Sequence, residues 1–352
     1  MAIDVRGGYS EESDYLLLER PTNLEMRESV SMWISDREGR FGFPRMAVEA
    51  VAADWENRGI EANVTFPSGR VLSGAGGFGA QQVKQMDGRS VSLGGGPLRF
   101  EVKEPLRHWI MNFDGTMYDR NVADQVRGLD GGEPRRVVIE VDARMAAPPW
   151  NPGERAERAG NRGAALAVGG VGGQRHEQLF TCIGRLSIEG EPTQYFEGTG
   201  LRIRRTGLRS LSEFVGHCWL SALFRSGRAF GMLAFPPRIF GEEPSFSEAF
   251  IFDGSKKRYG KVREAPWLTH FDPHGGECNL SIELEDGEIV NIEGVTHDSL
   301  FLPADRPMHG DWSLDAPLPM PFHQGGALYR WDGEETYGMI ERSLPPDRWK
   351  DA

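Results

Sequence analysis

The chain has 352 residues, 39% of them apolar, and carries 40 Lys and Arg against 52 Asp and Glu for a formal net charge of −12. That length and apolar share supply one large or two ordinary domains with a real core and exclude a disordered chain. The negative balance repels phosphate backbones, so no nucleic-acid partner is expected unless a basic face is segregated from the rest.

The opening stretch, "MAIDVRGGYSEESDY", is acidic and has no apolar run of the kind a signal peptide needs. The longest small-apolar run, "AALAVGGVGG" at 164–173, is too short and Gly-rich for a transmembrane segment. Three scattered cysteines, Cys182, Cys218 and Cys278, show neither C-x-x-C nor zinc spacing, which points to a reducing compartment without a disulfide framework. The expectation is a soluble cytoplasmic protein; the oligomeric state stays open.

Along the chain, "PRMAVEAVAADWENRG" (44–59) has alanine-rich helical propensity behind a proline, while the alternation of Met46, Val48 and Ala50 also allows a strand. Asp-Gly pairs at 87–88, 114–115, 130–131, 253–254, 286–287 and 332–333, with Ser-Gly at 68–69 and 226–227, supply the positive φ that tight hairpin turns require. "LSIELEDGEIVNIEGV" shows the strand–turn–strand form most clearly, and "HWIMNFDGTMY", "SEAFIFDGSKKRY" and "ALYRWDGEETYGMI" share it. "NVTFPSGRVL" (63–72) and "SALFRSGRAF" (221–230) form a faint internal repeat. Between them, "PPWNPGERAERAGNRGAALAVGGVGGQ" (148–174) reads as a long mobile loop or linker. These features predict an all-β antiparallel chain divided into an N-terminal β-domain (1–147), a linker (148–175) and a C-terminal β-domain (176–352).

The order of three stretches resembles the carotenoid 1,2-hydratase (hydroxyneurosporene synthase) and AttH-like family. They are "HWIMNFDGTMYD", "RVVIEVDARMAAPPW" running into a Pro-rich loop, and "HEQLFTCIGRLSIEG" leading into "YFEGTGLRIRRTGLRSLSEFVGHCWLSALFRSGRAFGMLAFPP". The resemblance covers most of the chain and implies two lipocalin-like antiparallel β-barrel halves packed together. In that family the second Gly is often followed by Arg-Asp-His-Ser-Trp-Gly, whose Asp is the acid expected to protonate an alkene. Here the run is Arg202-Ile203-Arg204-Arg205-Thr206-Gly207. Ile203 and Arg204 stand at the Asp and His positions, and neither donates a proton. Hydratase activity does not carry over by motif.

Candidate chemistry is therefore sought in the residues themselves. Arg202 and Arg204 share one side of a strand and can fork onto a carboxylate, enolate or phenolate if that side lines a lumen; otherwise they are a solvated face. Arg205 and Arg209 read as loop or partner charges. His217 and Trp219 also share a face. The histidine is a candidate general acid or base and the indole a flat wall for a ring, against the plainer reading of a structural core histidine. Glu197, before Gly-Thr-Gly, is a candidate replacement acid if an apolar barrel wall raises its pKa, whereas Asp253 reads as a turn residue. Trp33, Trp109 and Tyr118 can line an apolar pocket or serve as core. "HFDPHGGEC" (270–278) gathers His270, Asp272, His274, Glu277 and Cys278, but Pro273 prevents the helix that would align the histidines, so no metal site is assigned. "GAGGFGAQQ" (74–82) lacks the Gly-Lys-Ser/Thr of a phosphate loop.

Together these readings predict a cofactor-independent enzyme that acts on a hydrophobic terpenoid, steroid or aromatic metabolite by acid–base chemistry: hydration, dehydration, isomerisation or cyclisation. The alternative is a lipocalin-like carrier that holds a hydrophobic ligand without turnover.

Overall fold

The computed structural model describes residues 4–74, 77–126, 131–153, 160–168, 171–210, 214–272, 274–302 and 320–352. Two antiparallel β-units account for nearly all of it. Twelve strands form the first, closed on itself by pairing of Arg27–Asp36 with Gly42–Val51. The second is an eight-stranded up-and-down barrel from His217–Leu223 to Glu334–Ser343, whose first and last strands pair. The chain is all-β and has the architecture of two packed lipocalin-like barrels.

The last strand of the first sheet ends at Leu208 and the first strand of the second begins at His217. Val171–Ile188 and Gln194–Leu208 form a hairpin that bonds to Glu133–Met145 on one side and to Arg27–Asp36 on the other, so both strands belong to the first sheet. The Pro- and Gly-rich stretch expected as a linker is instead a strap over the seam between barrels. Trp150 is buried there and its indole N–H donates to Glu248 at 2.7 Å. Further on, the short helix Arg162–Val168 buries Ala164, Ala165, Ala167 and Val168. Residues 154–159 of this stretch lie outside the described residues.

Local propensity yields to burial at 44–59. Gly42–Val51 is a strand followed by a single 3-10 turn, Ala52–Asp54. Met46, Val48 and Ala50 face the first barrel's interior, and Arg45, Ala47 and Glu49 face the second barrel. A strand buried on both faces has no polar face for sequence periodicity to reveal.

The Ser-Gly hairpins form as expected. Phe66 N–H bonds to Arg70 O and Gly69 N–H to Phe66 O, and Phe224, Arg228 and Gly227 repeat the pattern. Asp114-Gly115, by contrast, is no turn, because His108–Asn121 runs through it as one strand. Gly115 is required there for close packing: a Cβ would sit 2.8 Å from the Pro97 ring.

Both barrel interiors are filled with side chains. Met32, Phe100, Trp109, Met111 and Phe113 belong to the first core, and Leu220, Phe230, Met232, Ile282 and Tyr329 to the second. Any lumen-bound ligand would have to displace these groups.

Candidate functional site: a cleft between the barrels

Because side chains alternate along a strand, each wall strand sends one set of residues inward and the other to the neighbouring barrel. Where the two outer faces meet they enclose a cavity of about 60 Å³, room for a few water molecules. The first barrel contributes Ser29, Ser31, Arg45, Ala47, Glu49, Arg175, Ile203 and Arg205. The second contributes His217, Trp219, Leu233, Phe235 and Glu341, while Ala167 and Val168 of the strap, Arg209 and Phe214 complete the lining.

On the second barrel's wall, His217 and Glu341 lie on adjacent strands. Glu341 Oε1 is 3.0 Å from His217 Nε2, and His217 Nδ1 is 2.7 Å from the Ser343 hydroxyl. Burial would raise the Glu341 pKa, but the Arg45 guanidinium, His217 and the Gln324 amide hold it at about 2. Gln324 Nε2 donates to Glu341 Oε2 at 2.7 Å, and Arg45 Nη1 reaches the same oxygen at 3.2 Å. The imidazole thus faces a carboxylate that its neighbours hold ionised near neutral pH, the arrangement that orients a histidine for proton transfer.

Trp219 packs edge-on to Trp33 at 4.9 Å between ring centres, and its indole N–H donates to Glu177 at 3.1 Å. Arg175 pairs with Glu177, donates to the Val168 carbonyl and lies over the Trp219 ring at 5.6 Å. Opposite, Glu49 is approached by Arg27 at 3.1 Å and Arg205 at 3.4 Å. Burial brings Arg205 down to about 10 in spite of Glu49, with Arg175, Arg45 and Arg27 adding to the shift. Burial likewise drives Arg209 well below the usual guanidinium value, with Arg205 adding to it. Arg205 and Arg209 thus bring two guanidiniums to one wall of the cleft.

Of the residues singled out from sequence, His217 and Trp219 come together in this cleft, with Trp33 behind Trp219. The other candidate catalytic, binding and metal residues lie elsewhere. Arg202 and Arg204 face the first barrel's interior. Arg202 donates to Asp14 at 2.6 Å and Gln178 at 3.0 Å and stacks on Trp109, while Arg204 pairs with Glu28 at 2.8 Å. Trp109 is core, its indole N–H bonded to Asp14 at 2.8 Å. Glu197 sits on the outer surface, its side chain 65% exposed and paired with Arg37 at 2.7 Å, so no apolar wall surrounds it. Tyr118 is on the surface beside Gly74 and Arg120. Asp253 caps its own turn through Ser255 and Lys256. His270 and Asp272 form an exposed pair, and Pro273 lies outside the described residues.

Arg205 and Arg209, expected as loop or partner charges, line the cleft instead. Ile203, at the position of the family's acid, lines it too. Sequence reading missed Arg45, Glu49, Arg175 and Glu341. The available signal was charged residues alternating with apolar ones inside otherwise apolar strands, but it does not say which face meets another domain.

No family model matches the chain, and no curated protein matches it. Solved structures do. A protein from Nitrosomonas europaea assigned as AttH aligns over 97% of this chain and 99% of its own, with a TM-score of 0.56 at 13% identity. The chain is similar in fold to AttH. CghA in complex with Sch210972 aligns over 98% of this chain and 97% of its own, with a TM-score of 0.57 at 10% identity. A kievitone hydratase from Nectria haematococca overlays more loosely, with a TM-score of 0.42 at 9% identity over 93% and 92% of the two chains. At these identities the likeness is one of fold.

Proposed function

We propose that the cleft between the barrels binds a small molecule that combines an apolar ring or chain with an acidic group, and that His217, oriented by the ionised Glu341, moves a proton on it. The reaction class is hydration, dehydration, isomerisation or cyclisation, carried out by the chain's own acid–base groups. The observation that carries this reading is the buried His217–Glu341 pair facing a cleft whose other walls are crowded arginines and an aromatic–aliphatic surface. Arg205 and Arg209 would hold the anionic end, while Trp219, Leu233 and Phe235 would pack the apolar body. CghA, of the same fold, holds Sch210972 in its structure, which supports the reading only in that a chain folded this way accommodates a small molecule.

In the resting cleft both imidazole nitrogens are engaged. A substrate therefore either takes the place of the Ser343 hydroxyl at Nδ1 or exchanges its proton on the Glu341 side, where the carboxylate also reaches the cleft. The present volume is too small for a terpenoid or steroid, so such a ligand requires the two walls to part.

Native mass spectrometry of wild-type and His217→Ala protein recovered from cell extract tests the reading, followed by incubation of each with the ligand found. Wild-type protein should convert the ligand and His217→Ala should hold it unchanged, with turnover down about 100-fold or more. An unchanged ligand on both, with no conversion by either, would replace the enzyme with the carrier. The carrier reading draws on the doubly engaged imidazole and the small cavity.

A further inference from the structure

On the cleft wall, Arg45 occupies an unusual backbone position. The register between Arg27–Asp36 and Gly42–Val51 slips between Met32 and Ile34, and in the resulting bulge Arg45 has φ of 55°. A left-handed conformation is unfavourable for a residue with a Cβ, and such strain persists where surrounding contacts hold it. Here the bulge turns the guanidinium into a chain of charges that crosses from one barrel to the other. Arg45 Nε lies 2.7 Å from Glu61 Oε2, its Nη1 lies 3.2 Å from Glu341, and Glu341 lies 3.0 Å from His217.

All four side chains are buried. With both carboxylates ionised and His217 neutral, the chain of groups carries one excess negative charge away from water, and a single proton removes it. Glu61 and His217 are the places for that proton, since Arg45 stays charged and Glu341 is held ionised by three donors. Among the described residues, Glu61 has only Asn63, at 3.3 Å, besides Arg45 to stabilise its carboxylate.

We propose that Glu61, which lies outside the cleft lining, is a positioning residue for the proton on His217: through the Arg45–Glu341 link the two groups share one proton, and the charge on either sets how firmly the other holds it. This rests on His217 being the proton-transfer group of the cleft. Burial, with Glu341 adding to it against the pull of Arg45, moves Glu61 up to about 8, in keeping with a proton resident there at neutral pH. Among the described residues, Asn63 and Arg45 face Glu61; Glu341, Ser343 and the Phe214 and Phe322 rings face His217; Gln324 donates to Glu341 and the Trp33 ring lies against Arg45; and Glu49, Glu177, Arg27, Arg205 and Arg209 are charges near this chain.

The test follows the His217 imidazole by NMR in histidine-labelled, ligand-free protein from about pH 5 to about pH 9. Besides its own protonation, the wild-type imidazole should report a second step at the pH where Glu61 ionises, and Glu61→Gln should lose that step. Asn63→Ala, which removes a donor from the Glu61 carboxylate, should move that second step to higher pH and stands in if Glu61→Gln does not fold. Superimposable curves for wild type and the variants would overturn the proposal. Because no ligand or turnover enters the measurement, this failure is separate from that of the functional reading, which shows as ligand handling indifferent to His217→Ala.

Discussion

Replacing Asp14 by Ala separates a structural role for Arg202 from a ligand-binding one. Asp14 is fully buried inside the first barrel and accepts from four donors: Arg202 at 2.6 Å, His176 at 3.0 Å, the Leu106 N–H at 2.5 Å and the Trp109 indole at 2.8 Å. The Arg202 guanidinium and these hydrogen bonds hold its carboxyl well below the usual range, against the opposite push of burial. Removing the carboxylate leaves Arg202 with the Gln178 amide oxygen and the face of Trp109 as its partners. Breaking a buried pair from one side costs about 3–5 kcal/mol, and the neutral donors left behind keep the cost at the upper end. At about 2–4 °C per kcal/mol, Asp14→Ala should melt roughly 6–20 °C below wild type. Calorimetry of Asp14→Leu, Arg202→Met and the two together, beside Asp14→Ala, gives the coupling. The double variant should be far more stable than the sum of the single losses, because a packed apolar pair replaces a buried charge pair. A loss below about 1 kcal/mol for Asp14→Ala, or strict additivity, would refute the assignment. So would a ligand whose affinity follows Arg202 while stability does not.

Two further outcomes are expected. Gly200→Ala should cost about 1–3 kcal/mol by denaturant titration, because its Cβ would meet the Trp33 carbonyl oxygen at 2.1 Å and the Phe180 ring at 2.5 Å; a neutral result would show that the strands can part there. The folded-state pKa of Glu61 is raised from 4.5 to about 8, so its contribution to stability is complete below about pH 4.5 and is lost as pH rises towards about 8, amounting to a few kcal/mol at most. Denaturation midpoints of Glu61→Gln should therefore fall less steeply than those of wild type across that window, and parallel profiles would contradict it.

The turns and strands of the fold were legible because Gly, Asp and Ser at hairpins act locally: Gly69, Gly88, Gly227, Gly254, Gly287 and Gly333 all take positive φ. Close packing used the same residue for another purpose. Gly115, Gly198 and Gly200 are extended, and each marks a place where a Cβ would strike a neighbour. The boundary was misplaced for a related reason. Proline and glycine at 148–174 mark irregular backbone, and irregular backbone can be a buried strap as well as a linker. The candidate site was legible in type but not in position. Period-2 alternation in "LRIRRTGLR" separates Arg202 and Arg204 from Ile203 and Arg205, yet with both faces buried it cannot say which set meets the cleft.

That ambiguity has a physical consequence for where a ligand can go. A barrel whose lumen is filled has only its outer faces left to build a site, and an outer face becomes enclosed only against a second body. Ionisable groups that would be solvated on either barrel alone, among them Glu49, Arg205, His217 and Glu341, are desolvated by docking, and the shifted proton affinities of Arg205 and Glu341 belong to the seam. The Glu61–Arg45–Glu341–His217 chain draws two of its members from each barrel, so neither half holds the charge arrangement by itself. Ligand size is then set by how far the seam opens, and proton transfer by how closely the halves are registered. A change that loosens the seam without touching the lining, such as one at Trp150 under the strap, would for this reason alter both together.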